Sequence, residues 1–94
     1  MTRQYVCGEL SLRLGWLQGA AGVGRAAKIE KLRHRAESVP PDALASIVTQ
    51  VLHLCRQSCW DALAEGDIAA FDRRAASAAE LREFAVCAQL LDED

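Results

Sequence analysis

Large side chains are scarce in this sequence. Only five of its 94 residues are aromatic, although 51% are hydrophobic and many of these are alanine. Alanine favours helices but contributes little apolar surface, and a chain of this length buries only about 60–65% of its unfolded surface. We therefore expect a single domain with a small core, one that depends on a partner or on a second copy of itself for stability.

The sequence also lacks a long hydrophobic run and an excess of charge of one sign. No segment approaches the roughly 20 apolar residues that span a bilayer. Glycine, polar or charged residues at positions 8, 9, 11 and 13 interrupt the apolar core that a signal peptide would need. The net charge is −2, so no global field attracts nucleic acid or a membrane surface. These absences predict a cytoplasmic protein, whose four cysteines are expected to be reduced thiols.

Motifs of common enzyme and cofactor sites are missing as well. No serine or cysteine pairs with a histidine in a recognisable nucleophile arrangement, and no Glu-x-x-His pair is present for a di-iron bundle. Gly19, Gly22 and Gly24 lack the preceding strand of a dinucleotide fingerprint and the Lys-Ser/Thr ending of a phosphate loop. We expect a glycine-rich turn at residues 19–24, and we predict no catalytic residue, no cofactor and no enzymatic activity.

Two long amphipathic patterns dominate the second half of the chain. From about 41 to 65 and from 68 to 91, apolar residues recur at steps of three and four, the period of one helix face. They are Leu44, Ile47, Val48, Val51, Cys55, Cys59, Ala62 and Leu63, then Ile68, Phe71, Ala75, Ala78, Leu81, Ala85, Ala88 and Leu91. Gly66 suits a left-handed position after a helix, and Asp67 suits a cap. So short a connection predicts an antiparallel α-hairpin.

The joint of this hairpin, Ala64-Glu65-Gly66-Asp67-Ile68-Ala69-Ala70-Phe71, resembles the Gly-Asp joint between the helices of tetratricopeptide repeats. The resemblance covers one turn. Cys55, Ser58 and Ala75 stand where that family has bulky residues, and no second repeat follows. We interpret the stretch as the turn of an ordinary helical hairpin.

Residues 5–18 fit two patterns. A helical stripe of Val6, Leu10, Leu14 and Leu17 competes with the alternation of Leu10, Leu12, Leu14 and Trp16 that a strand would show. A lone strand would have nothing to pair with unless two subunits paired their edges, so helix is favoured. On a helix, Leu12 and Trp16 lie four residues apart, opposite the main stripe. A helix that is apolar nearly all round is central or forms an interface, so these two residues are the predicted protein interface.

Residues 25–38 predict a third, locally basic helix. Arg25, Lys28, Lys31 and Arg35 would form one charged stripe able to meet phosphates. Interleaved aromatics and a recognition helix are missing, and charged helix faces are usually solvated. A small nucleic-acid-associated regulator using these four residues is therefore our second hypothesis.

Cys55 and Cys59 lie one helical turn apart, a spacing that metal sites use. In an antiparallel hairpin, however, Cys87 would lie about 13 Å along the axis from Cys55. His53 would point about 160° away from Cys55. Because no C-x-x-C pair is present, buried structural thiols are the better interpretation. A thiol or metal sensor that uses Cys55 and Cys59 is the weakest hypothesis.

Together these patterns predict an all-α fold in one domain, residues 1–94. We expect a small helical bundle of three to four helices built on the long antiparallel hairpin. The predicted function is that of a non-enzymatic protein–protein interaction module, such as an adaptor, a chaperone-like protein or an assembly subunit. Its predicted partner is another protein or a second copy in a homodimer.

Overall fold

The computed structural model describes residues 3–20 and 22–91. Within these ranges the chain forms four α-helices and no strand: α1 (Arg3–Ala20), α2 (Val23–Ser38), α3 (Leu44–Ala64) and α4 (Ile68–Cys87). A short 3-10 helix, Pro41–Ala43, precedes α3. The predicted all-α fold class is confirmed, and residues 5–18 are helical rather than extended. None of these four helices combines the length and the apolar character needed to cross a bilayer.

The four helices close into an antiparallel bundle. Each helix packs against the next one in the chain, and α1 also packs against α4. Arg25 at the start of α2 reaches Asp61 near the end of α3, which fixes these two helices as antiparallel. Across the hairpin, Nη1 of Arg74 in α4 donates to the carbonyl of Ser58 in α3 at 2.9 Å. This order of contacts gives an up-and-down arrangement with short connections.

All four helices contribute to one core. The largest fully buried apolar side chains are Leu10 and Leu14 from α1, Ile29 from α2, Val48 and Val51 from α3, and Leu81 from α4. Ser58 is also fully buried, beside the point where Arg74 binds its carbonyl. The spacing of three and four identifies the inward face of α3, where six of the eight predicted residues are buried, whereas on α4 only Leu81 and Ala85 of the eight are buried. The core is larger than the α3–α4 hairpin alone supplies.

The joint between α3 and α4 has the predicted chemistry. Gly66 has a φ of 74°, in the left-handed region that glycine tolerates. The Asp67 amide donates to the carbonyl of Ala62 at 2.9 Å and the Gly66 amide to that of Leu63 at 3.0 Å, which is a Schellman motif. The carboxylate of Asp67 accepts a hydrogen bond from the Ala70 amide at 3.0 Å and caps α4. Both predicted roles, for Gly66 and Asp67, are confirmed.

Several predicted bounds are wrong. The helix expected to run to residue 91 ends at Cys87, because Gln89 adopts a φ of 63° and the amide of Leu90 donates back to the carbonyl of Ala85 at 2.8 Å. This turn folds Leu90 and Leu91 against the core. At the other end of the hairpin, residues 41–43 form a 3-10 helix, so α3 begins at Leu44 rather than at 41.

The glycine-rich turn predicted at residues 19–24 is shorter than expected. Gly19 lies in α1 and Gly24 in α2, and position 21 lies outside the described residues. Gly22 has a φ of 85° and lies immediately before the first residue of α2. Its carbonyl accepts a hydrogen bond from the Ala26 amide at 2.8 Å. The connection between α1 and α2 is therefore a tight reversal at Gly22.

Two residues predicted to face inward are exposed. Leu63 is 36% exposed and Ile68 is 58% exposed, at the joint of the hairpin. The interior there is filled by Ala62 and Ala70, both buried. Because successive residues of a helix turn by about 100°, burying Ala62 and Ala70 rotates Leu63 and Ile68 towards solvent.

Candidate functional site

The exposed positions of α1 between residues 5 and 19 carry no charge. These positions, here called the α1 outer face, are Tyr5, Gly8, Leu12, Trp16 and Gly19. Tyr5 is 53% exposed, Leu12 49% and Trp16 58%. A surface helix normally turns polar residues to solvent, so an uncharged outer face is unusual. The structure places the predicted pair Leu12 and Trp16 on this face, one helical turn apart, and Tyr5 extends it.

The two exposed glycines leave open space on this face. A Cβ added at Gly8 or at Gly19 would meet no heavy atom within 4 Å, apart from the helix backbone itself. Each of the two glycines therefore leaves a shallow depression next to a large side chain, Gly8 between Tyr5 and Leu12 and Gly19 after Trp16. A depression of this kind admits a side chain from another surface.

The edges of the α1 outer face are electrically balanced. Towards α4, Glu9 and Arg13 form an ion pair at 3.7 Å, and the guanidinium of Arg13 lies 4.8 Å from the centre of the Phe84 ring. Towards α2, Nε of Arg33 donates to Oγ of Ser11 at 3.3 Å. Both arginines are thus engaged within the chain. The face is bordered by paired charges, so it presents no net repulsion to an apolar partner.

A basic groove lies between α2 and α3. It has a volume of about 650 Å³, with Lys28, Lys31 and Arg35 on one wall. Thr49, Gln50 and His53 form the other wall, Leu32 and Leu54 complete the lining, and no carboxylate contributes to it. Across residues 3–20 and 22–91, no ion pair involves any of these three cations. The groove therefore keeps three positive charges available to an anion.

The fourth residue of the predicted basic stripe, Arg25, does not line this groove and is paired with a carboxylate. Nε of Arg25 donates to Oδ2 of Asp61 at 3.0 Å, and Nη1 donates to Oε1 of Gln57 at 2.8 Å. The hydrogen bond from Arg25 holds the pKa of the Asp61 carboxyl below its ordinary value. The charge of Arg25 is consequently matched by Asp61 at a partly exposed junction of α2 and α3. Only Lys28, Lys31 and Arg35 remain as a stripe.

The two candidate metal-ligating thiols differ in burial: Cys55 lies in the core and Cys59 is only half-buried. Cys55 is buried, and burial raises the pKa of its thiol to about 11. Burial also raises the pKa of the Cys59 thiol, against a smaller lowering effect of Arg74. Within the described ranges, no three His, Cys, Asp or Glu side chains are grouped so that they could hold a metal ion. Cys55 therefore packs in the core as a small hydrophobic side chain.

The sequence patterns did not indicate one exposed aromatic residue, Trp60. Trp60 is 62% exposed on α3, and Leu63 and Ile68 are also exposed near the joint of the hairpin. Trp60 stands on the polar side of the amphipathic pattern, among Arg56, Gln57 and Asp61. A large aromatic residue on an otherwise polar helix face is the sequence pattern that indicates such an exposed side chain.

Comparison of the chain with models of protein families, with curated proteins and with solved structures found no match.

Proposed function

We propose that the protein is a non-enzymatic protein–protein interaction module, used as an adaptor, a chaperone-like protein or an assembly subunit. The observation that carries this proposal is the α1 outer face, which exposes Tyr5, Leu12 and Trp16 without an intervening charge. Tyrosine and tryptophan are the residues that most often dominate the binding energy of protein interfaces, because they bury much area with few rotatable bonds.

The size of the face fits a weak or moderate interaction. About half of each of its three large side chains is exposed, which leaves roughly 300 Å² of side-chain surface for a partner to cover. At about 25 cal/mol per Å², that burial contributes several kcal/mol, against a cost of association of roughly 4–15 kcal/mol. The partner must therefore add contacts of its own around the face.

Site-specific photo-crosslinking tests the proposal. A photoreactive phenylalanine analogue at position 16 should give a covalent adduct with a protein in the native cell, and the same analogue at the exposed position of Thr49 should not. Adding Leu12→Gln should reduce the adduct, since it places a polar amide in the contact. Thermal unfolding of the Leu12→Gln variant should match the parent, because Leu12 lies outside the core. Absence of any protein adduct at position 16 would contradict the proposal.

The basic groove supports a second candidate function, binding of nucleic acid through Lys28, Lys31 and Arg35. The supporting observation is that these three cations share a groove wall without a carboxylate in its lining. Contacts to phosphates release counterions, so the affinity should fall steeply with salt.

Charge reversal distinguishes this candidate. Reversing Lys28, Lys31 and Arg35 to glutamate should abolish binding to duplex DNA or RNA at low salt. Reversing Arg56, Arg73 and Arg82, which are exposed elsewhere on α3 and α4, makes the same change in net charge and should leave more of the binding intact. Equal losses in both triple variants, or no binding by the parent chain at low salt, would dismiss the candidate.

A further inference from the structure

We infer that the α1 outer face binds the same face of a second copy of this chain, with the two α1 helices antiparallel about a two-fold axis at Leu12. This inference rests on the proposed function and names its partner. Two other surfaces are weaker candidates, the basic groove and the exposed apolar side chains near Trp60. Neither carries a feature that selects one partner as the pattern of α1 does.

The spacing of the face is symmetric about Leu12. The steps from Tyr5 to Gly8, Leu12, Trp16 and Gly19 are three, four, four and three residues. In an antiparallel pair centred on Leu12, Trp16 lies level with Gly8 of the other copy, and Tyr5 lies level with its Gly19. Each aromatic side chain thus meets a glycine, and the two copies of Leu12 meet at the axis. A two-fold interface requires this reciprocity, since each contact occurs twice.

Steric complementarity favours this register over the alternatives. The space above Gly8 and Gly19 is open in the single chain, so it is available to an incoming aromatic ring. A parallel pair would instead set Trp16 against Trp16 and Tyr5 against Tyr5, and would leave a gap where the two Gly8 residues faced each other. Gaps lose dispersion contacts and crowded rings prevent close approach, so the antiparallel pair packs best.

The charges beside the face are compatible with the same register. Glu9 of one copy lies level with Gly15 of the other copy, and Arg13 lies level with Ser11 of the other copy. No like charges are therefore placed directly opposite each other, and the Glu9–Arg13 ion pair is retained within each copy. Electrostatics does not oppose the pairing, and burial of apolar surface drives it.

The area predicts a dimer of modest affinity. Two faces contribute roughly 600 Å² from their large side chains, less than the ~1,200 Å² or more of stable interfaces. The contact along α1 is about 21 Å long from Tyr5 to Gly19. We therefore expect a dissociation constant in the micromolar range, which sedimentation equilibrium of the full chain from about 5 to 500 μM can measure.

A substitution that fills the space above Gly8 tests the interface without disturbing the fold of the single chain. Gly8→Leu should weaken the dimer at least about tenfold, because it occupies the space for Trp16 of the other copy. In the single chain the substitution meets open space and improves helix propensity, so the monomer should be no less stable. Gly24→Leu is the matched control: a Cβ there also meets nothing within 4 Å, but Gly24 belongs to α2 and is not one of the residues of the α1 outer face. It should leave dimerisation unchanged.

An exchange of residues tests the register itself. Gly8→Trp alone should abolish the dimer, because two tryptophans would then lie level with each other. Combining Gly8→Trp with Trp16→Gly restores one tryptophan against one glycine at both sites, so the double variant should dimerise again. Nonspecific adhesion between apolar patches would not follow this pattern. Dimerisation by Gly8→Trp alone, or no recovery in the double variant, would overturn the antiparallel register.

The outcomes also separate this inference from the proposed function. A chain that stays monomeric at the highest concentration, yet crosslinks through position 16 to a different protein, overturns the inference and retains the interaction module. A dimer unaffected by Gly8→Leu overturns the inference too, because another surface would then mediate it. A monomer with no adduct at position 16 removes both.

Discussion

The guanidinium of Arg25 joins the first turn of α2 to the last turn of α3. It donates to both carboxylate oxygens of Asp61, at 3.0 and 3.4 Å, and to the amide oxygen of Gln57. This fork geometry is one that lysine cannot reproduce, since an ammonium group is a single point of charge. The two partners lie 36 and 32 residues away in the chain. No local spacing indicates such a contact, which is why the sequence assigned Arg25 to a phosphate-binding stripe.

Replacing Arg25 should change how stability depends on pH. Arg25 lowers the pKa of the Asp61 carboxyl, so it stabilises the folded state above the ordinary carboxyl range and loses this effect as the pH falls through the lowered pKa. The difference in free energy of unfolding between the parent and Arg25→Met should therefore be larger near neutral pH than near about pH 3. Denaturant titrations at both values measure it. In an Asp61→Asn background the pH dependence of this difference should disappear; its persistence would contradict the assignment.

Burial of the Cys55 thiol predicts a second pH effect, at the alkaline end. The pKa of this thiol is raised from 9.0 to about 11, so the unfolded chain ionises first as the pH rises. The stabilisation is complete below 9.0 and is lost between 9.0 and about 11. Relative to Cys55→Ala, the parent should therefore lose free energy of unfolding across that interval. Cys87→Ala, at an exposed position, keeps the buried thiol and should behave as the parent. Parallel curves for parent and Cys55→Ala would refute the prediction.

Helix α1 shows how far periodicity determines an element. The stripe at steps of three and four identified Val6, Leu10, Leu14 and Leu17, all buried, and it left Leu12 and Trp16 on the far side, both exposed. The turn at Gly66 was equally predictable, because glycine and a capping aspartate act through local backbone geometry. The end of α4 was not, since Gln89 takes a left-handed conformation that sequence rules reserve for glycine. Packing of Leu90 and Leu91 on the core accompanies that conformation.

Two leucines of α1 should lose very different amounts of stability on the same substitution. Leu14→Ala removes a fully buried side chain from the centre of the bundle and should cost about 2–5 kcal/mol of unfolding free energy. Leu12→Ala changes a side chain that is 49% exposed and should cost less than about 0.5 kcal/mol in the monomer. Chemical denaturation at low protein concentration compares them without the contribution of association. Similar costs for both would show that α1 is oriented differently in the bundle.

The sequence placed the scaffold in the α3–α4 hairpin, but the core is divided among four helices. Val48 and Val51 of α3 are fully buried together with Leu10, Leu14 and Ile29 from the first half of the chain. α1 packs on α2 and α4, and α2 packs on α3, so the two halves cover each other's apolar faces. The hairpin specifies the topology through its joint, whereas its stability comes from the helices that cover it.

A fragment of residues 41–91 should therefore fail to fold cooperatively. Without α1 and α2, Leu44, Val48 and Val51 would be exposed to water. The total free energy of unfolding of a small domain is only about 5–15 kcal/mol, so the loss of this burial removes a large part of it. Circular dichroism should show reduced helicity and a broad thermal transition for the fragment, where the full chain shows a single cooperative one. Mixing the fragment with a peptide of residues 1–40 should recover helicity, because the peptide supplies Leu10, Leu14 and Ile29. A sharp transition in the isolated fragment would mean that the hairpin carries its own core, and α1 would then be free to serve its partners without holding the fold together.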